Sequence, residues 1–119
     1  MQLFKAIRDH DMKSLPAIKR GDTFGATCTY KENKVPVSVA DLSISCQIRD
    51  PDTKELVSEM VITKANQEQS VGVFHLSPTN PDTSDWPVKT LIADIEISQG
   101  GVIRSTQTFR IPVYEDVTQ

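Results

Sequence analysis

The sequence predicts an all-β domain, an antiparallel sandwich or small barrel, and three observations carry that prediction. Apolar residues recur with period two in several short runs. Turn-forming residues separate those runs, and no stretch in the body of the chain sustains the 3.6-residue period of a helix. At 119 residues the chain suits one domain around one modest core.

The N-terminal stretch is the exception to the β pattern. Leu3, Phe4 and Ile7 lie at helical spacing ahead of Pro16, which predicts an arm or short amphipathic helix over residues 1–16 and a β domain over residues 17–119. The arm either packs on its own domain or docks into a neighbouring subunit, and both readings stay open. Gly21 and Asp22 then turn the chain into TFGATCTY, where Phe24, Ala26, Cys28 and Tyr30 share one face of a half-buried strand. KENKVP is a polar turn. Residues 42–49 form the second strand, with Leu42, Ile44, Cys46 and Ile48 alternating against Ser43, Ser45, Gln47 and Arg49.

DPDTK reverses the chain, because Pro51 fixes its own φ and Asp50 accepts hydrogen bonds from nearby amides. Residues 55–63 read as a third strand in which Leu56, Ser58, Met60 and Ile62 compete with Val57, Glu59, Val61 and Thr63 for the inward face, so its register is open. After the polar KANQEQS, residues 71–76 form a short strand with Gly72, Phe74 and Leu76 on one side. SPTNPDTSDWP holds three prolines and is a surface crossover with at most one helical turn. The last two runs make a hairpin. Leu91, Ala93, Ile95 and Ile97 face inward, Gly100-Gly101 supply positive φ at the turn, and Ile103, Ser105, Gln107, Phe109 and Ile111 return on one face. Asp94 and Glu96 stand on the outer face with Arg104 and Arg110, in reach of exposed pairs worth about 0.2–1 kcal/mol each.

Composition excludes several classes. With 38% hydrophobic and 24% charged residues, the chain is neither disordered nor membrane-spanning. A formal net charge of -3 leaves no basic field for a phosphate backbone, so nucleic acid is not an expected partner. The stretch MQLFKAIRDHDMKS has no apolar signal-peptide core, which predicts maturation in a cytoplasm. Cys28 and Cys46 are then expected as free, buried thiols; they sit on consecutive strands, where an inter-sheet bridge of the immunoglobulin kind is disfavoured, and they lack CxxC spacing.

No catalytic constellation emerges. His10 between Asp9 and Asp11 lacks convergent ligands, and His75 is remote in sequence, so no metal is expected. No nucleophile elbow, HExxH or phosphate loop occurs, and neither an enzyme activity, a cofactor nor a small-molecule substrate is expected. The RGD tripeptide at Arg20–Asp22 reads as a turn before it reads as an adhesion signal. Trp86 is either a binding aromatic or a plug for one end of the fold. The plug is preferred, because aromatic residues make up just 6% of the chain and a sugar platform needs several.

The order of these signals resembles a class of immunoglobulin-like proteins and domains in tailed bacteriophages. The likeness rests on RGDTF, on KENKVPVSVADLSISCQIRDPDTKELV and on TSDWPVKTLIADIEISQGGVIRSTQTFRIPVYEDVTQ. That class leads from a G-D-T-F motif through a polar turn to P-V-x-L-x-x, an I-R strand end, a W-P-x-G-x-x-x-x-D-I hairpin and a V-T terminus. Similar domains stand at the N-terminus of phage upper baseplate proteins. The likeness covers residues 17–119 and departs from the pattern at Lys89, where glycine is common, and at the inserted Val39-Ala40.

The resemblance implies an immunoglobulin-like antiparallel β-sandwich with a non-enzymatic structural role. The expected protein is a tail or baseplate adaptor, present in multiple copies in a virion, joined to other virion proteins and assembled in the host bacterial cytoplasm without a membrane. Leu3, Phe4 and Ile7 of the arm, and Trp86, are the candidate partner contacts. The same sandwich would serve a capsid decoration or head-to-tail connector protein. A carbohydrate or host-surface binding module centred on Trp86 is the alternative from another class.

Overall fold

The computed structural model describes residue 15 and residues 17–115. The arm residues Leu3, Phe4 and Ile7, the helix expected there, and His10 lie outside the described residues. Every regular element among the described residues is a β-strand: β1 (Ile18–Lys19), β2 (Ala26–Thr29), β3 (Lys31–Glu32), β4 (Val35–Pro36), β5 (Ser43–Arg49), β6 (Leu56–Lys64), β7 (Val73–Pro78), β8 (Thr90–Gln99) and β9 (Val102–Tyr114). Among these residues no helix is long and apolar enough to cross a membrane.

Seven strands form one mixed sheet in the order β1-β9-β8-β5-β6-β7-β2, strongly curled into a half-barrel, while β3 and β4 make a separate small hairpin. All ladders of the large sheet are antiparallel except β1 with β9. The curl runs through β6. Its first part pairs with β5, as Gln47↔Glu59 and Ile48↔Ser58, and its second part pairs with β7 from Met60↔Pro78 to Lys64↔Phe74. One strand therefore belongs to both walls of the fold.

The core fills the concave side and follows the predicted period-two faces. Phe24, Cys28 and Tyr30, then Cys46 and Ile48, Phe74 and Leu76, Leu91 to Ile97 at alternate positions, and Phe109, Ile111 and Val113 are all buried. Leu15 is buried in the same cluster, so core packing reaches back beyond the Ala17 boundary read from the sequence.

Two bulges set the exceptions to strict alternation. The β5–β6 register shifts at Ile48/Arg49, leaving Val57 extra; Ser58 and Met60 take the core side and Leu56 is turned out. The β8–β9 register shifts at Ile97/Ser98, where Ile97 faces Ser105 and Ser98 faces Ile103. Arg104 is the extra residue there, and Ile103, expected inward, is exposed. Across this ladder Asp94 faces Thr108, whose hydroxyl donates to it at 2.7 Å, and Glu96 faces Thr106; Arg104 donates to Gln99.

Turns follow local chemistry. Gly100 and Gly101 have φ of 58° and 83°, and Asn33 and Lys34 have 52° and 69°, so both hairpins turn with two successive left-handed residues. The Asp50 carboxylate accepts from the amides of Asp52 and Thr53, as its turn position suggested. Gly72 is different: its φ is +83°, and an added Cβ would stand 2.6 Å from the Tyr30 carbonyl oxygen and 3.1 Å from that of Val37.

Two alanine substitutions separate these effects. Gly100→Ala meets nothing within 4 Å and carries only the left-handed backbone cost of about 1–2 kcal/mol. Gly72→Ala carries that cost plus a collision with fixed backbone, and urea denaturation is expected to show it as the larger loss.

Candidate functional site

The strands bring three connections to one end of the sheet: the 30–42 segment with its β3–β4 hairpin, the 65–72 segment, and the β8–β9 turn. Side chains lock the first two together. Gln67 uses its whole amide, accepting from the amides of Val39 (3.0 Å) and Gly72 (2.8 Å) and donating to the carbonyls of Ala65 and Val73. The Tyr30 amide bonds the Gly72 carbonyl, and the Lys64 ammonium donates to the carbonyls of Ala40 and Leu42. A loop end so tied holds its shape with few apolar contacts.

On this fixed base apolar side chains are exposed among polar ones such as Lys31, Asn33, Glu68 and Gln99. Val35 is 61% exposed on the β3–β4 hairpin, Val102 64% and Ile103 58% on the β8–β9 hairpin, and Val71 is exposed beside Gly72. Near them the buried Tyr30 hydroxyl has the Glu32 carboxylate for a neighbour. Its pKa is raised, first by burial and then by the nearby Glu32 carboxylate, while Arg104 opposes the shift. This is the candidate interaction surface. The sequence reading missed it, because KENKVP shows no alternation and Ile103 was assigned to the core face.

Trp86 lies at the other end. It is 4% exposed and packs on Phe24 with ring centroids 5.7 Å apart at 49°, so it plugs the core and offers no ring to a partner. The RGD tripeptide is built into the same plug. Arg20 Nε donates to the Trp86 carbonyl, and the buried Thr83 hydroxyl accepts from the Gly21 amide at 2.9 Å and donates to the Asp22 carbonyl at 2.7 Å. Asp22 thus serves through its backbone. Thr83 carried no signal in the sequence beyond its place in a polar loop.

Beside Trp86 an open cleft of about 340 Å³ is edged by Asp50, Glu55, Asp82 and Asp85. Lys89 spans part of this edge, reaching Asp50 at 3.0 Å and Asp52 at 2.6 Å. The Lys89 ammonium and the Asp52 amide hold the Asp50 carboxyl below its ordinary range, and the two carboxylates raise Lys89. Ser58, on the cleft wall, donates its hydroxyl to the Glu59 carbonyl. Among the described residues no group of three His, Cys, Asp or Glu could hold a metal ion.

The thiols of Cys28 and Cys46 are free and buried. Burial pushes Cys28 up to about 11 and Cys46 up to about 12, the latter helped by the charges of Cys28, Asp94 and Glu59. Neither is a thiolate near neutral pH, and each packs as a small apolar side chain. No family model matches the chain, and no curated protein matches it.

Both sets of shifts give measurable pH behaviour. Ellman's reagent at pH 8 is expected to leave both thiols untouched in the folded protein and to titrate both in urea. Only the unfolded chain ionises its thiols just above pH 9, so their contribution to stability falls as pH rises from 9.0 through about 11 and 12. Asp50 has the opposite sign: its contribution is present above the ordinary carboxylate pKa and is lost as pH falls through its lowered value. Lys89→Met is expected to move the Asp50 titration, followed by carboxyl NMR, upward.

Proposed function

We propose that this chain is a non-enzymatic adaptor of a tailed-phage virion, placed in the tail or baseplate, joining larger components through protein–protein contacts. The observation that carries the adaptor reading is the set of exposed apolar side chains Val35, Val102 and Ile103 on two turn-locked hairpins at one end of the fold. Apolar residues displayed on rigid supports give contact area at low ordering cost, which is what a standing interface uses. The virion context comes from the resemblance in the turn and strand-end residues, from Gly21-Asp22-Thr23-Phe24 to Trp86-Pro87 and Asp94-Ile95.

The fold is read here as an immunoglobulin-like sandwich whose two sheets meet through a shared strand. One wall is β2, β7 and the second part of β6; the other is the first part of β6 with β5, β8, β9 and β1. Consecutive strands crossing between walls in this order are the reason for that reading. In this picture many copies assemble in the host bacterial cytoplasm, where buried free thiols suit the reducing conditions. A carbohydrate module centred on Trp86 is disfavoured, since its ring is turned into the core.

Gold-labelled antibody on purified particles tests the location. Label at the tail or baseplate is the expected result, label over the head would replace the adaptor with a decoration or connector protein, and no label on particles would end the virion reading. The surface is tested by Val102→Asp with Ile103→Asp. Both side chains are more than half exposed, so the melting temperature is expected to stay within a few degrees while incorporation into particles is lost.

A further inference from the structure

The large sheet ends on one side at β2. β2 pairs with β7 from Ala26↔Leu76 to Thr29↔Val73, and the next step of that register is tied by the Tyr30 amide, which donates to the Gly72 carbonyl at 2.9 Å. In an antiparallel ladder a residue turns its N–H and C=O to one side and its neighbour turns both to the other. Tyr30 faces β7, so Cys28 and Ala26 face it too, and Thr27 and Thr29 turn their backbone groups away from the sheet. β7 agrees: Val73, opposite Thr29, accepts from the Ala65 amide on the β6 side. Among the described residues no backbone group bonds the amides or carbonyls of Thr27 and Thr29.

Nothing in β2 blunts this edge. Proline, a bulge or a charge within the strand usually does so, and β2 has an unbroken register and the uncharged sequence ATCT. The β3–β4 hairpin folds back on the β7 side, through the Val37 amide on the Tyr30 carbonyl, and leaves the edge clear. On the outer face Thr27 is exposed and its hydroxyl is hydrogen-bonded to the His75 ring at 2.9 Å.

We infer that β2 pairs antiparallel with β2 of a second copy, across a two-fold axis at Cys28, joining two sheets edge to edge. The open backbone groups lie one residue to either side of Cys28, so the rotation sets Thr27 opposite Thr29 of the second copy and Thr29 opposite its Thr27. Each pair exchanges both N–H···O bonds, and an isologous contact requires this kind of self-complementarity. The side chains fit the same register. Threonine meets threonine on the outer face, a pairing that sheets favour, and Lys31 falls opposite Gly25. Beyond the ladder Lys34 of one copy lies toward Asp22 of the other. An axis at Thr27 or Thr29 would leave a single threonine pair, and at Thr27 it would also set Glu32 toward Asp22. Contact along one short strand is small for a specific interface, so the dimer depends on concentration. It does not rest on the adaptor reading: pairing is read in the purified protein, that role in particles.

Sedimentation velocity on the full chain over a wide concentration range tests it. A monomer–dimer equilibrium is expected, with the Thr27 and Thr29 amides exchanging more slowly as dimer forms. Thr29→Pro removes an outward donor and no β2–β7 bond, so the fold is expected to stay while association weakens at least about tenfold, the two-fold deleting that bond twice. Thr27→Lys with Thr29→Lys sets lysine opposite lysine and is expected to abolish the dimer. Adding the copy with Thr27→Glu and Thr29→Glu is expected to restore a mixed one. A monomer at every concentration would overturn the proposal. So would a dimer that survives both Thr29→Pro and the paired lysines, which would place the contact on another surface.

Discussion

The change of partner along β6 is the constraint on which the rest of the structure depends. Up to Glu59 the strand is hydrogen-bonded to β5, and from Met60 it is hydrogen-bonded to β7. Without that hand-over, Cys28, Phe74 and Leu76 on one wall would have no fixed position opposite Cys46, Ile48 and Ile95 on the other. Ser58 and Met60 face the core on either side of the switch, and the Val57 bulge sets their phase.

Much of this was legible in the sequence and some of it was not. Period-two runs marked the inward faces around Cys28, Cys46, Phe74 and Ile95, and Gly100-Gly101 marked the longest hairpin, because each signal is local. The bulges at Val57 and Arg104 were invisible, since a register shift depends on the partner strand; one turned Leu56 outward and the other Ile103. Gln67 and Thr83 gave no sign of their roles, because a polar side chain in a loop has no period to betray its contacts. The two-residue β1 was likewise missed: a strand that short exists through the edge it meets. Of the candidate contact residues, Trp86 is spent on Phe24, and Leu3, Phe4 and Ile7 lie outside the described residues. The apolar end with Val35 and Val102 became visible only once three separate loops stood side by side.

The two ends of the domain are finished in different ways. At the Trp86 end, polar groups turn inward to backbone partners: Arg20, Thr83 and the Gly21 amide are all committed to holding the plug. At the opposite end Gln67 does the holding from below, and apolar side chains are left facing solvent. The thiols of Cys28 and Cys46 are taken up in packing, and the Asp50 carboxylate is paired with Lys89.

The parallel pairing of β1 with β9 also has a mechanical consequence. The chain reaches β9 first through the Leu15 amide on the Arg110 carbonyl, continues as β1 and leaves β9 past Tyr114, so the two strands run in the same direction with their outgoing ends at opposite limits of the shared ladder. Tension applied through those ends pulls the strands lengthwise past one another and loads their hydrogen bonds together. A hairpin pulled at its open end would yield one bond at a time. In this geometry even a short ladder resists as a unit, with the buried Leu15, Ile18 and Val113 dragged through the core before it fails.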